Sequence, residues 1–184
     1  MNKCKWAYIS DLDMEYHDLE WGKPVYDDNS LFEILSLECM QSGLSWSTIL
    51  KKRENFRKAF DRFDIKLVEQ YNEDKIEQLM NNEGIIRHRL KIKAIINNAK
   101  CISDIKKEYE SFSNYIWLYV DNKPIINMWS CNEDVPSSSS LSDLITKDLK
   151  KRGFKFVGST TVYSFMQACG MVDDHLIGCR MLIK

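Results

Sequence analysis

The chain lacks a long apolar run, an export signal and an excess of charge. No apolar stretch in its 184 residues approaches the roughly 18 residues that a membrane-spanning helix needs. The N-terminus also lacks the basic and apolar regions of a signal peptide. We therefore expect a cytoplasmic protein with no membrane partner. The net charge of −1 predicts no polyanionic partner by itself, although basic residues cluster at 51–53, 87–93 and 150–152.

Internal repeats and alternating runs long enough for a β-sheet are also missing. Apolar residues recur instead at the spacing of helices, whereas residues 1–26 have no strong period and are predicted to be irregular. The pattern indicates an all-α protein, and the length suits one domain with a real core. The helices are expected near 31–42, 46–60, 73–80, 88–102, 113–120, 141–152 and 159–169.

The six cysteines stand at irregular spacings, which favours thiols or metal ligands over a disulfide framework in a protein without an export signal. Cys4 and His17 lie near one end of the chain, and His175 and Cys179 lie near the other. The last two are four residues apart, so one helical turn would put both on the same face. Two thiolates and two imidazoles would make a closed tetrahedral zinc site. Scattered Cys and His residues are more often packing groups, and this alternative stays open.

An acidic residue occupies an apolar position of the first predicted helix. Ser30, followed three residues later by a glutamate, is typical of a capping box, so the helix should begin near Leu31. Leu31 and Leu35 lie on its buried stripe, and Glu38 falls on the same stripe. A buried carboxylate is costly unless it is paired, hydrogen-bonded or needed for chemistry. The structural alternative is an ion pair with Arg53 on the following helix.

A tight turn at Gly84 joins two predicted helices, the second of which begins near His88. Arg87 and Arg89 lie at the entry of this second helix. Free main-chain N–H groups and the positive end of the helix would face a DNA phosphate in such a hairpin. An ordinary helical hairpin closed by a glycine is the alternative, and it is commoner in soluble proteins.

Several long stretches match one known family. They are YHD at 16–18 with EWG at 20–22, LE at 37–38 with GLSW at 43–46, LKKRE at 50–54, GIIRHR at 84–89, LKKRGFKFVG at 149–158, and YSFMQACG at 163–170 followed by DH at 174–175. On these residues the chain resembles the 3-methyladenine DNA glycosylase I family of the helix-hairpin-helix superfamily. The resemblance runs essentially from Met1 to Cys179.

This resemblance implies a fold and an activity. The fold is a single glycosylase domain over 1–184, with two helical lobes around a base pocket. Residues 27–110 would form the helix-hairpin-helix lobe, and 1–26 with 111–184 a terminal lobe whose chain ends a zinc site joins. The activity is base-excision repair of alkylated double-stranded DNA. A monomeric enzyme without lyase activity would hydrolyse the N-glycosidic bond of N3-methyladenine, release 3-methyladenine and leave an abasic site.

The resemblance also assigns roles to individual residues. Glu38 and Tyr16 receive catalytic roles. The base-binding residues are Trp6, Trp21 and Trp46. The DNA-binding residues are Gly43, Leu44, Gly84, Ile85, Arg87 and Arg89, of which Gly43 and Leu44 match the wedge that enters the duplex. One structural zinc would be held by Cys4, His17, His175 and Cys179, with no organic cofactor.

These residue types suit a cationic base. N3-methylation makes adenine positively charged and therefore a good leaving group. A tryptophan face attracts a cation by roughly 0.5–2 kcal/mol per contact, and Glu38 can accept a hydrogen bond from the exocyclic amine. Many relatives in the superfamily carry a catalytic aspartate after the hairpin, and Asp121 is a poor substitute for it here. The methyladenine branch also lacks that aspartate, so we expect binding and electrostatics to dominate over proton abstraction.

Two other functions remain open from the sequence. One is a zinc hydrolase or deaminase that uses Glu38 as its acid or base, which requires an open coordination position on the metal. The other is a non-catalytic protein that binds damaged DNA through the same hairpin. The first predicts a metal-bound water, and the second predicts tight binding without release of a free base.

Overall fold

The computed structural model describes residues 4–180, and most of this part of the chain is helical. The helices are α1 Asp11–Leu19, α2 Asp28–Gln41, α3 Trp46–Ala59, α4 Ile65–Val68, α5 Glu73–Met80, α6 Arg89–Tyr109, α7 Phe112–Trp117, α8 Ser140–Lys151, α9 Ser159–Ala168 and α10 Ile177–Arg180. Two short strands, β1 Ile125–Ile126 and β2 Val172–Asp173, pair in parallel with Ile125 opposite Val172. The predicted helical class is confirmed. The small strand pair was not predicted, because two-residue strands carry no alternating pattern.

The N-terminal region is less irregular than predicted, since it contains α1. Ser10 caps this helix by accepting a hydrogen bond from the main-chain N–H of Asp13. The buried residues of α1 are Asp13, Tyr16 and His17. Because these three side chains are polar or amphipathic, the buried face of the helix leaves no apolar period in the sequence.

The predicted capping box at the start of α2 is wrong. Asp27 caps the helix instead, and its carboxylate accepts from the main-chain N–H and the hydroxyl of Ser30. Glu33 does not fold back on the cap, because its carboxylate binds Arg53 and Arg57 on α3. Both Asp27 and Ser30 are good cap residues, and the tertiary ion pairs of Glu33 decide between them.

Helix α2 lies at the centre of the molecule. It contacts α3, α6, α7 and α9, and its buried side chains contribute to the main hydrophobic core. Burying each large apolar side chain stabilises a fold by roughly 1.5–3 kcal/mol. A second, smaller apolar cluster joins the two ends of the chain. Its members are Cys4, Tyr16, Trp21, Leu50, Ala168, Leu176 and Cys179. The central helix therefore holds its side chains in fixed positions between these two clusters.

Residues 81–88 connect α5 to α6, which pack against each other. Asn82 accepts a hydrogen bond from the N–H of Gly84 (2.9 Å), and Lys52 donates to the carbonyl oxygen of Gly84 (3.2 Å). His88 caps α6 by accepting from the N–H of Lys91. The helix thus begins where the sequence predicted. No helix within residues 4–180 is long and apolar enough to cross a membrane.

Candidate active site and metal centre

A cavity of about 510 Å³ opens between α1, α2, α3 and the C-terminal segment. This volume lies in the usual range for small-molecule sites and can hold a purine. The walls carry aromatic side chains and several polar groups. Five residues with predicted catalytic or base-binding roles line it together: Trp6, Tyr16, Trp21, Glu38 and Trp46.

Glu38 lies in the last turns of α2, and its side chain is 6% exposed. Burial raises the pKa of its carboxyl to about 8. Among residues 4–180, no side chain forms a hydrogen bond or ion pair with this carboxyl. The suggested pairing with Arg53 is wrong, since the Arg53 guanidinium donates to Glu33 and Glu20 at 2.7 Å each. The charged form of Glu38 is therefore left without a partner among the residues that the structure describes.

The aromatic rings form one continuous wall beside Glu38. The Tyr16 ring centroid lies 5.3 Å from that of Trp46 and 6.1 Å from that of Trp6, and Trp6 lies 5.1 Å from Trp21. Burial and the nearby Glu38 raise the pKa of the Tyr16 hydroxyl. The indole N–H of Trp46 is buried, and it has no acceptor within the described part of the chain. The wall thus offers both π faces and a free donor.

Sequence reasoning missed two buried aspartates that also line the cavity, Asp13 and Asp174. The Asp13 carboxylate accepts from the hydroxyls of Ser10 (2.5 Å) and Ser47 (2.7 Å). Asp13 precedes Tyr16 by three residues on α1, and this helical spacing was the signal that could have found it.

Asp174 is the most highly satisfied of the cavity's carboxylates. It accepts four hydrogen bonds at 2.7 Å each, and the donors are Asn127, Trp129, Tyr163 and Gln167. Burial and the bond to Asp174 raise the pKa of the Tyr163 hydroxyl. No sequence pattern predicted these donors, which come from residues 127–129 and from α9.

A group able to hold a metal ion lies behind the aromatic wall. The ligand atoms of Cys4, His17 and Cys179 are buried and lie within 4.8 Å of one another. The Cys179 sulfur lies 3.4 Å from Nε2 of His17, whose Nδ1 lies 2.8 Å from the Asp18 carboxylate. Thiolates and imidazoles are zinc ligands, and a carboxylate on the second ring nitrogen is the usual support of a ligand histidine.

His175 lies beside these three residues but is not part of the group whose ligand atoms are within 4.8 Å of one another. Its ring centroid is 4.8 Å from that of His17, and its Nδ1 lies 2.8 Å from the Asp173 carboxylate. Its Nε2 is buried without a hydrogen-bond partner in the range 4–180. The predicted helical turn from His175 to Cys179 is wrong, because α10 begins only at Ile177. An orphaned ring nitrogen held from the other side by a carboxylate fits a metal ligand.

The turn between α2 and α3 presents the predicted wedge at the surface. Gly43 has a φ of +84° with open space around it, and Leu44 is 39% exposed. The side-chain amide of Gln41 donates to the carbonyl oxygen of Leu44 (2.9 Å), and the N–H of Leu44 donates back to the Gln41 carbonyl oxygen (2.6 Å). Two hydrogen bonds therefore hold the apolar tip outward.

The predicted DNA-binding residues between α5 and α6 differ in their exposure and in their partners. The side chain of Ile85 is buried, and its N–H donates to the carbonyl oxygen of Asn82 (3.4 Å). Arg87 is exposed and lies 3.7 Å from the Glu83 carboxylate. Arg89 binds two glutamates of α5, Glu73 (2.5 Å) and Glu77. Exposed ion pairs of this kind contribute roughly 0–1 kcal/mol, and the charge of Arg89 is already compensated.

The fold and the cavity define a helical protein with a purine-sized aromatic pocket that contains an unpaired acid. The methyladenine glycosylase family model matches residues 6–182, and the chain belongs to this family.

Named relatives cover nearly the whole chain. DNA-3-methyladenine glycosylase 1 of Escherichia coli (strain K12) is 48% identical over 179 residues, which are 97% of this chain and 96% of the relative. DNA-3-methyladenine glycosylase of Haemophilus influenzae is 47% identical over 177 residues, or 96% of each chain. The solved structure of 3-methyladenine DNA glycosylase I from Staphylococcus aureus, which concerns 3-methyladenine recognition, has a TM-score of 0.94 at 40% identity. It covers 97% of this chain and 95% of that one.

Proposed function

We propose that this chain excises N3-methyladenine from alkylated double-stranded DNA by hydrolysis and so begins base-excision repair. The observation that carries the proposal is the unpaired, buried carboxyl of Glu38 in a cavity walled by indoles. A planar cation is the ligand that both features favour, because the ring faces and the carboxylate each attract positive charge. Named relatives across nearly the full length support the same substrate.

The reaction follows from the charge of the substrate. The damaged nucleotide leaves the base stack and enters the cavity, at a cost lowered by its weakened pairing. Trp6, Trp21 and Trp46 supply the aromatic wall. The cation lowers the pKa of Glu38, which ionises and accepts a hydrogen bond from the exocyclic amine. Tyr16, next to His17 in the chain, would be held in place by the metal site.

Bond breaking then neutralises the base. The C1′–N9 bond breaks, and its electron pair removes the positive charge of the purine. A water oxygen bonds to C1′ and loses its proton to solvent, which leaves an abasic site and free 3-methyladenine. Glu38 and the indoles hold the leaving base, so the enzyme acts mainly by positioning and electrostatic stabilisation.

The metal ligands would be Cys4, His17, His175 and Cys179, with zinc as the ion. When bound, zinc would join the two ends of the chain as a structural ion. Four protein ligands would leave the zinc no open position, unlike the site of a zinc hydrolase or deaminase. Metal analysis of the purified protein should find about one equivalent of zinc. Much less than one, or a zinc-bound water, would contradict this assignment.

DNA would be held by two elements on one side of the molecule. The residues 84–89 hairpin would bind a phosphate at the turn of Gly84 and Ile85 and the positive end of α6, aided by Arg87 and Arg89. Gly43 and Leu44 would fill the gap that the extruded nucleotide leaves. These elements lie in a proposed helix-hairpin-helix lobe of residues 27–110, facing a terminal lobe of 1–26 and 111–184, whose extreme residues 1–3 and 181–184 lie outside the described part.

A release assay tests the function. Methylated duplex DNA is incubated with the protein, and the soluble fraction is separated by chromatography. We expect free 3-methyladenine and an uncut strand with an abasic site. Tight binding to the methylated duplex without any released base would support a damage-binding protein instead. Action as a monomer and location in the cytoplasm stay predictions.

A further inference from the structure

The loop between α8 and α9 presents an exposed aromatic ring from a left-handed backbone. Phe156 has a φ of +56° and is 41% exposed. Its neighbours Phe154 and Val157 are buried in the core. A non-glycine residue at positive φ costs conformational free energy, and such residues concentrate at functional sites.

The surrounding structure imposes this conformation on the loop. Asn98, on α6, donates its side-chain amide to the carbonyl oxygen of Lys155 (3.0 Å) and accepts from the N–H of Lys155 (2.8 Å). Asn97 donates to the carbonyl oxygen of Gly153 (2.9 Å), and the Cys39 thiol donates to that of Phe156 (3.4 Å). The main chain is therefore fixed on both sides of an exposed ring.

The ring lies beside the elements proposed to bind DNA. Its centroid is 6.2 Å from that of His88, the cap of α6. The ammonium of Lys91 donates to the carbonyl oxygens of Met40 (2.9 Å) and Ser42 (2.7 Å), which ties the start of α6 to the turn before Leu44. These contacts link Phe156, the start of α6 and the Gly43–Leu44 turn to one another.

The residues around the Phe156 ring favour binding of a polyanion that also has apolar faces, rather than binding of an apolar protein. Arg87, next to His88, and Lys155, next to Phe156, are exposed, and the positive end of the 21-residue α6 lies beside the ring. The exposed side chains of Leu44 and Leu90 add apolar surface. Duplex DNA offers phosphates for the cations and base and sugar faces for an aromatic ring.

We propose that Phe156 is a second duplex-contacting side chain, which packs its ring against the bases and sugars beside the gap left by the extruded nucleotide. The inference rests on the proposed function. In it, Asn98 is the positioning residue that holds the Phe156 backbone left-handed so that the ring faces the duplex.

The test uses the full-length protein and a duplex that carries a tetrahydrofuran abasic-site analogue. Phe156→Ala and Phe156→Gly both remove the ring, but glycine tolerates the positive φ and keeps the loop. Phe156→Trp keeps an aromatic face. Tyr26→Ala is the matched control, because Tyr26 is an exposed aromatic just before the opposite end of α2.

We expect the Ala and Gly variants to bind the duplex at least roughly fivefold more weakly, in line with the loss of one aromatic stacking contact. Affinity for free 3-methyladenine should stay within about twofold, and the salt dependence should keep its slope, because no phosphate contact is lost. Phe156→Trp and Tyr26→Ala should bind the duplex like the unchanged protein. The melting temperature of the Gly variant should not fall.

Duplex affinity within about twofold for both ring-free variants would overturn the inference. A parallel loss of free-base binding would also overturn it, since the change would then act through the fold. Failure of the unchanged protein to bind the duplex would instead count against the proposed function, so the two failures are distinguishable.

Discussion

Glu38 and Asp174 line the same cavity, yet their surroundings are opposite. Asp174 accepts four hydrogen bonds. Glu38 receives none from the side chains of residues 4–180, and burial raises its pKa to about 8. The four donors stabilise the carboxylate of Asp174. A buried carboxyl without donors is costly to ionise, and it remains able to bind a donor or cation of a ligand. The contrast separates an acid that builds the cavity from an acid that meets the ligand.

The largest expected effect concerns stability against pH. The pKa of Glu38 is about 8 in the folded state against an ordinary 4.5, so the folded protein keeps a proton that the unfolded chain releases. Stability is therefore full below pH 4.5 and falls as pH rises to 8, by on the order of 4 kcal/mol from this group. Urea unfolding of the unchanged protein and of Glu38→Gln across this range isolates the contribution. Parallel curves for the two proteins would contradict the isolation of Glu38.

Asp174→Asn is the variant to compare with Glu38→Gln. The new amide keeps the shape but brings N–H groups toward donors such as Tyr163 and Gln167, which leaves several buried groups unsatisfied. We expect a loss of about 3 kcal/mol in the free energy of unfolding, measured by urea titration at pH 7. Glu38→Gln at the same pH should be as stable as the unchanged protein or more so. An equal loss in both variants would remove the distinction between the two acids.

The catalytic rate should depend on Glu38, whose replacement is not expected to reduce stability. Glu38→Gln loses the negative partner of the cationic base, and we expect base release to slow by on the order of 100-fold. Single-turnover release of 3-methyladenine from methylated duplex measures this directly. The folded state is checked by circular dichroism. Rates within a few fold of the unchanged protein would show that the acid does not act on the substrate.

The smallest effect tests the aromatic wall. Trp46→Leu keeps an apolar surface but removes the π face and the free indole N–H. Affinity for a cationic N-methylated purine should fall by roughly 2- to 30-fold, the equivalent of 0.5–2 kcal/mol. Affinity for neutral adenine should change less, because the cation–π part is absent. Calorimetry measures the affinity for both bases. An equal loss of affinity for the two would show that Trp46 contributes only its shape.

Much of the helical framework could be predicted, because its apolar residues keep a helical period and its ends carry cap residues. Helix α1 could not, since its buried face consists of Asp13, Tyr16 and His17. For the same reason, Asp13 was not predicted to be a residue of the site. Periodicity measures apolar burial, so it fails where burial is polar and satisfied by tertiary partners.

The position of Glu38 on an apolar stripe was visible in the sequence, but its isolation was not. Arg53 on the following helix was the suggested partner, and only the structure shows that Glu33 and Glu20 bind this arginine. His175 is similar: the i, i+4 spacing suggested a helix, whereas the hydrogen bonds with Asp173 hold the residue before α10 begins. Spacing cannot tell which of several partners a charged group takes.

A structure of the protein with 3-methyladenine tests the central claim most directly. We predict the base in the aromatic cavity, with the Glu38 carboxyl about 3 Å from a purine nitrogen and the Trp46 indole against the ring. A base bound elsewhere, with the Glu38 carboxyl still without a partner or turned toward Arg53, would contradict the account.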